Sequence, residues 1–127
     1  MRNFIISLIC LLILIFTWIG FSFYSSNAIA MIQEQTDVLI SDSIRAADWT
    51  SAETEYGKLC SMWNQYKKAG SIFLDTRDIN EIDSVLEKAY FYMKAHDISN
   101  SSGEFSYLKD KFGFIHQNET ITFSNIF

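Results

Sequence analysis

The sequence predicts an all-α protein: an N-terminal transmembrane helix that continues into a stalk, followed by a small three- to four-helix bundle with an extended C-terminal tail. Three observations carry this reading. From Phe4 to Tyr24 the chain runs FIISLICLLILIFTWIGFSFY, in which 17 of 21 residues are hydrophobic, and no charge stands between Arg2 and Glu34. Proline is absent from all 127 residues, which removes the commonest helix breaker. Beyond the first 30 residues, apolar side chains recur at three- and four-residue steps, the period of a helix with one buried face.

The first segment is long enough to span, since about 1.5 Å per residue carries it across the roughly 30 Å of a bilayer core. Trp18, Phe21, Phe23 and Tyr24 resemble the aromatic belt of a membrane interface. The competing reading is a signal peptide cleaved after Ala28-Ile29-Ala30, which would release a secreted helical domain. The apolar run well exceeds the roughly 7 to 15 residues of a signal peptide's hydrophobic region, which favours an uncleaved anchor. Orientation follows from Arg2 and the amino terminus on one side against Glu34, Asp37 and Asp42 with Arg45 on the other. The division is therefore a cytoplasmic tail at 1–3, a membrane helix at 4–24 that contacts the lipid bilayer, a stalk at 25–47 and an extracytoplasmic bundle at 48–127.

Along the stalk, Ile29, Ile32, Thr36, Leu39/Ile40, Ser43 and Ala46/Ala47 keep the helical period. Asp48, or the capping box Thr50-Ser51-Ala52-Glu53, opens the second helix. Its face is Trp49, Ala52, Tyr56, Leu59/Cys60, Trp63 and Tyr66, and Lys67-Lys68-Ala69-Gly70 closes it with cations and a glycine. A third helix from Asp75 or Thr76 to His96 presents Ile79, Ile82, Leu86, Ala89/Tyr90, Met93 and His96. A fourth is expected to begin near Ser101-Ser102-Gly103-Glu104 and to present Phe105, Leu108, Phe112 and Ile115. Thr120-Ile121-Thr122-Phe123 alternates with period two, so the tail is expected to be an extended strap. Trp49, Tyr56, Trp63, Ile79, Ile82, Leu86, Phe105, Leu108 and Phe112 are the expected core or interface anchors. Trp49 and Trp63, 14 residues apart, share a face, and both are expected in the core. One internal regularity stands out: shifted by 49 residues, Ala46, Asp48, Glu55 and Leu59 fall on Ala95, Asp97, Glu104 and Leu108.

Composition narrows the function. With 10 basic against 15 acidic residues the formal net charge is -5, and the basic residues are scattered, which argues against nucleic acid as a partner. Metal binding would need clustered ligands, whereas His96 and His116 stand on different parts of the fold and Cys10 and Cys60 are far apart. Cys60 reads as a small core residue. Asp83 and Glu87 stand four apart on one helix, but a small bundle rarely encloses the pocket that acid–base chemistry needs, so they read as a solvated acidic face. Ser99, Ser101 and Ser102 read as capping residues. No cofactor, metal or catalytic residue is expected. The remaining anomaly is aromatic: Tyr90-Phe91-Tyr92 cannot all face one core, and this run is the candidate exposed interaction patch.

In the order of its features the chain resembles a family of small, membrane-anchored bacterial proteins grouped as domain of unknown function forty-three sixty-three. The likeness is carried by the apolar N-terminal segment, Asp48-Trp49 with Ala52, Trp63, Ile79, Ile82-Asp83, Tyr107-Leu108-Lys109, Glu119 and the closing Ser124-Asn125-Ile126-Phe127. Where relatives often carry a histidine before Ile79, this chain has Thr76 and Arg77, so no metal or acid–base role is carried over. The resemblance implies a single-pass protein of the bacterial cell membrane and no established activity. The expected function is then a non-enzymatic interaction or scaffold module that binds another envelope protein or itself. The alternative is a small-ligand or envelope-stress sensor; because only three residues precede the span, it would signal through a partner.

Overall fold

The computed structural model describes residues 1–70 and 74–126, with side chains described as far as Ile115. It contains four helices: α1 (Arg2–Val38), which runs on without a break as a π-helical segment (Leu39–Ile44), α2 (Trp49–Gly70), α3 (Thr76–Lys94) and α4 (Ile98–Ile126). Helix α1 packs on α2 and α4, and α3 packs on α4, whereas the seam between α2 and α3 is much thinner.

Helix α1 has two halves with different surroundings. Up to Gly20 its large apolar side chains are exposed, Phe4 and Phe16 by about 70%, apart from the half-buried Ile15 and Trp18. Arg2–Ile44, at 43 residues, is long and apolar enough to cross a membrane. From Phe21 onward one face is buried: Phe21, Ser25, Ile29, Ile32, Thr36, Leu39, Ile40, Ser43 and Ile44. The segment expected as a stalk thus forms the expected continuous helix and is in addition the fourth member of the bundle. The physical reason is its stripe of β-branched and aliphatic residues, which a free stalk would leave in water.

The turn from α1 into α2 and the turn from α3 into α4 are built alike. Ala47 and His96 both adopt the left-handed conformation, with φ of 56° and 57°. In each turn the following aspartate donates its backbone N–H five residues back, Asp48 to Ser43 at 2.9 Å and Asp97 to Tyr92 at 3.0 Å. That is the Schellman closure of a helix C-terminus. Each aspartate then caps the next helix. Asp48 accepts from the Ser51 amide at 3.3 Å and hydroxyl at 2.8 Å, while Asp97 accepts from the Asn100 amide at 3.0 Å and side chain at 2.7 Å. Helix α4 therefore starts three residues before the expected capping box, because Asp97 satisfies the orphan amides first. Asp75 caps α3 through the Arg77 amide at 2.9 Å.

The 49-residue similarity continues through the core. Ala52, Leu59, Trp63 and Tyr66 correspond to Ser101, Leu108, Phe112 and Ile115, all buried. Upstream of the turns, Ile29, Ile32, Thr36 and Leu39 fall on Ile79, Ile82, Leu86 and Ala89 at a shift of 50, whereas Ile44 falls on Met93 at 49. The extra residue is absorbed in the π-helical segment, where two neighbouring pairs, Leu39/Ile40 and Ser43/Ile44, are buried. A π-helical turn accommodates one inserted residue without breaking a helix. The bundle consists of two helical hairpins of the same design.

At its far end α4 is helical through Ile126, so the backbone at Thr120–Phe123 is not the expected extended strap. No helix breaker follows Phe112 other than Gly113, and extending a formed helix costs little compared with starting one. How the side chains of this stretch and of His116 lie, and the positions of Phe73 and Phe127, fall outside what the structure describes.

Candidate functional site

The thin seam between α2 and α3 opens as a groove of about 320 Å³ lined by Tyr56, Cys60, Trp63, Asn64, Asp83, Leu86, Glu87 and Tyr90. Its openness has a steric cause on each side. Where α1 meets α4, Gly113 lies so close that an added Cβ would stand 2.9 Å from the Gln33 amide, and Gln33 donates to the Lys109 carbonyl at 2.9 Å. Across the molecule, Tyr56 and Trp63 on α2 and Tyr90 on α3 hold the backbones apart.

Residues seven apart on α2 share a face, so Tyr56 and Trp63 both look toward α3 with Cys60 between them. Trp63 is 1% exposed, and its indole N–H donates to Asp83 at 2.8 Å. Lys67 reaches the same carboxylate at 3.1 Å and stands 5.9 Å from the Trp63 ring centroid. Tyr56 donates its hydroxyl to the Leu86 carbonyl at 3.2 Å, and its ring lies 5.0 Å from that of Tyr90. Burial, together with the nearby Cys60, Tyr90 and Glu87, pushes the Tyr56 phenol well above its ordinary range. Burial also raises the Cys60 thiol, with the neighbouring Tyr56 hydroxyl and Lys67 acting in the opposite direction. Both groups are neutral at pH 7. Lys94 stands 5.6 Å from the Tyr90 ring centroid and pairs with Glu53. The groove thus has an aromatic floor, the neutral Tyr56 phenol and Cys60 thiol beside Asn64, and two carboxylates on one wall.

The sequence-derived residues divide among three places. Ile82, Leu86, Phe105, Leu108, Phe112 and Trp63 are core, with Ile79 half-buried beside them. Trp49, expected in the core, is half-buried and packs against the core's edge rather than inside it. It is the first residue of α2, and it stacks on the His96 ring at 4.7 Å with 2° between the planes. Tyr90, Phe91 and Tyr92 do not form one patch, because consecutive helical residues diverge by about 100°. Tyr90 lines the groove, Tyr92 is half-buried and Phe91 is 62% exposed. Asp83 and Glu87, read from sequence as a solvated acidic face, are indeed open to solvent, Glu87 exposed and Asp83 partly so, and the surface they share is the wall of this groove. A buried indole N–H needs an acceptor, so a partner for Trp63 was foreseeable in kind, although its identity required the packing.

A second cleft, of about 260 Å³, lies between α1 and α2 and is lined by Tyr24, Asn27, Ala28, Met31, Ile32, Met62 and Gln65. It begins where the exposed apolar half of α1 ends.

No curated protein and no solved structure matches the chain. A family described as a domain of unknown function does match, over residues 21–126. The match starts at Phe21, the first buried residue of α1, so the shared part coincides with the bundle and leaves out the exposed apolar segment. The chain therefore belongs to the family called Domain of unknown function (DUF4363).

Proposed function

We propose that the protein is a single-pass anchored module of the bacterial cell envelope. In this reading its bundle lies outside the cytoplasm and acts by docking another membrane-anchored envelope protein rather than by catalysis. The observation that carries the reading is the continuity of α1. One helix holds both the exposed apolar segment and a wall of the bundle, so a partner that lies along the segment also meets the cleft beside it. That cleft bears Tyr24 and Met31, which are 42% and 59% exposed, together with Met62 on α2. Methionine and tyrosine are suited to such a surface, the one adaptable and the other amphipathic. The polar groups of the α2–α3 groove support a binding role too. Asp83 is engaged by Trp63 and Lys67, and the thiol and phenol are held neutral.

A photo-crosslinking residue placed at Met31 in native membranes tests the proposal. The expected result is a discrete heterologous adduct that a Phe91 probe on α3 does not give. Monomer alone from position 31 would overturn the reading, and an adduct between two copies would replace the envelope partner with self-association. Protease added to intact spheroplasts should degrade the bundle; full protection would reverse the proposed orientation.

A further inference from the structure

Helix α1 leaves no linker between its exposed apolar segment and the bundle, and its pairing with α2 fixes how high the bundle stands. Gln35 donates to the Glu55 carbonyl at 3.0 Å, Ser25 and Tyr66 share a hydrogen bond at 2.7 Å, and an added Cβ at Gly70 would stand 2.9 Å from the Phe21 ring. Each step back along α1 is met by a nearly equal step forward along α2, so α2 descends antiparallel to the level of Phe21. Leu74 donates its amide to the Gly70 carbonyl at 2.9 Å, and α3 starts two residues later at Thr76. This inference rests on the reading of 4–24 as a membrane span. Phe21 then lies in the last turn of the hydrocarbon layer, which about 20 residues cross. The end of α2 and the start of α3 stand in the headgroup layer, roughly 5–8 Å thick on each side of the bilayer, and not in free water.

Two cations occupy that level. Lys68 belongs to the last turn of α2 and Arg77 to the first turn of α3, and both are exposed. Among the described residues neither takes part in an ion pair. The described acids near them are engaged: Asp83 with Lys67, Asp78 and Glu81 with Lys111, and Asp75 with the Arg77 amide. We propose that the bundle stands directly on the bilayer, with Lys68 and Arg77 on the phosphates of membrane phospholipids. Both side chains are long enough to carry their charged heads along the surface to a phosphate while the stems stay on apolar ground. The guanidinium fork matches a phosphate bidentately, and the ammonium serves as a point charge. The bilayer is thus a second partner of the bundle, met at its base and separate from the protein docked along α1.

The test uses the full chain in vesicles of phosphatidylglycerol, with single spin labels in a Cys10→Ala, Cys60→Ala background. Leu14→Cys marks the middle of the span, Ala69→Cys and Thr76→Cys the base of the bundle, and Thr50→Cys its tip, about 30 Å away along α2. Ala69, Thr76 and Thr50 are all exposed, so a bundle standing clear of the lipid would give their labels equal access to a water-soluble nickel chelate. Access should instead fall sharply from tip to base. Replacing both cations, Lys68→Gln with Arg77→Gln, should lower the thermal melt by several degrees more in these vesicles than in maltoside micelles, which carry no phosphate. Base labels as open as the tip label would overturn the proposal, and so would an equal change of the melt in the two media. Water access at Leu14 would overturn the span and this inference with it. Because the crosslink at Met31 reports on protein and these labels report on lipid, the two results succeed or fail separately.

Discussion

Ala47 and His96, 49 residues apart in the chain, end their helices in the same left-handed turn, with φ of 56° and 57°. Each is followed by an aspartate that closes one helix and caps the next. Neither position carries the glycine that such a turn favours. For a residue with a Cβ this conformation costs roughly 1–2 kcal/mol. At Ala47 nothing offsets the strain except the turn itself, whereas His96 gains its stack against Trp49.

Ala47→Gly should therefore stabilise the bundle by about 0.5–1 kcal/mol. His96→Gly should stabilise it less, or not at all, because the ring stack is lost. Thermal melts of the two variants side by side check the order; equal gains would mean that the stack contributes nothing.

The two tryptophans of the bundle should respond differently to truncation. Trp63→Ala removes a 1%-exposed side chain and should cost roughly 3 to 5 kcal/mol, most of the margin of a small domain, about 5 to 10 kcal/mol. Trp49→Ala should cost about 1 kcal/mol, the scale of an aromatic stack at a half-open position. Chemical denaturation of both full-length variants separates them, and comparable losses would contradict the placement of Trp49 at the tip.

Cys60 should be slow to alkylate. Burial raises its thiol, so the reactive thiolate is scarce at neutral pH. In a Cys10→Ala background its reaction with iodoacetamide should follow a pH profile displaced upward from that of a free thiol, and should accelerate on unfolding. The folded values of Cys60 and Tyr56 are both raised, so their contribution to stability is complete below the unfolded values and is lost as pH rises through the folded ones. The melting temperature should therefore fall in alkali, and the double variant Cys60→Ala, Tyr56→Phe should fall less.

Two helical glycines predict opposite signs. Gly57 faces open space, and Gly57→Ala should stabilise α2 by about 0.5–1 kcal/mol. At Gly70 an added Cβ would lie 2.9 Å from both Leu74 and Phe21, so Gly70→Ala should cost about 1–3 kcal/mol through overpacking. Melting curves decide both.

By itself the sequence determined the helical class, the apolar segment and the buried stripe of each helix. All three follow from local periodicity and from the absence of proline. It also held the 49-residue echo, because a turn that reverses a helix needs a cap and Asp48 is legible as one, whereas the capping role of Asp97 in place of the Ser101 box came from the structure. The tertiary structure decided what depends on partners distant in the chain. It made 25–47 a wall of the bundle, since only packing against α2 and α4 buries Ile32, Leu39 and Ile44. It put Trp49 at the tip, because a stripe position says nothing about whether another layer lies above it. The π-helical segment was illegible too, since periodicity does not show where one helix carries a residue more than its counterpart. Finally, it made the acidic surface of Asp83 and Glu87 one wall of a groove, because aromatic bulk on α2 and α3 and close approach at Gly113 leave that seam open.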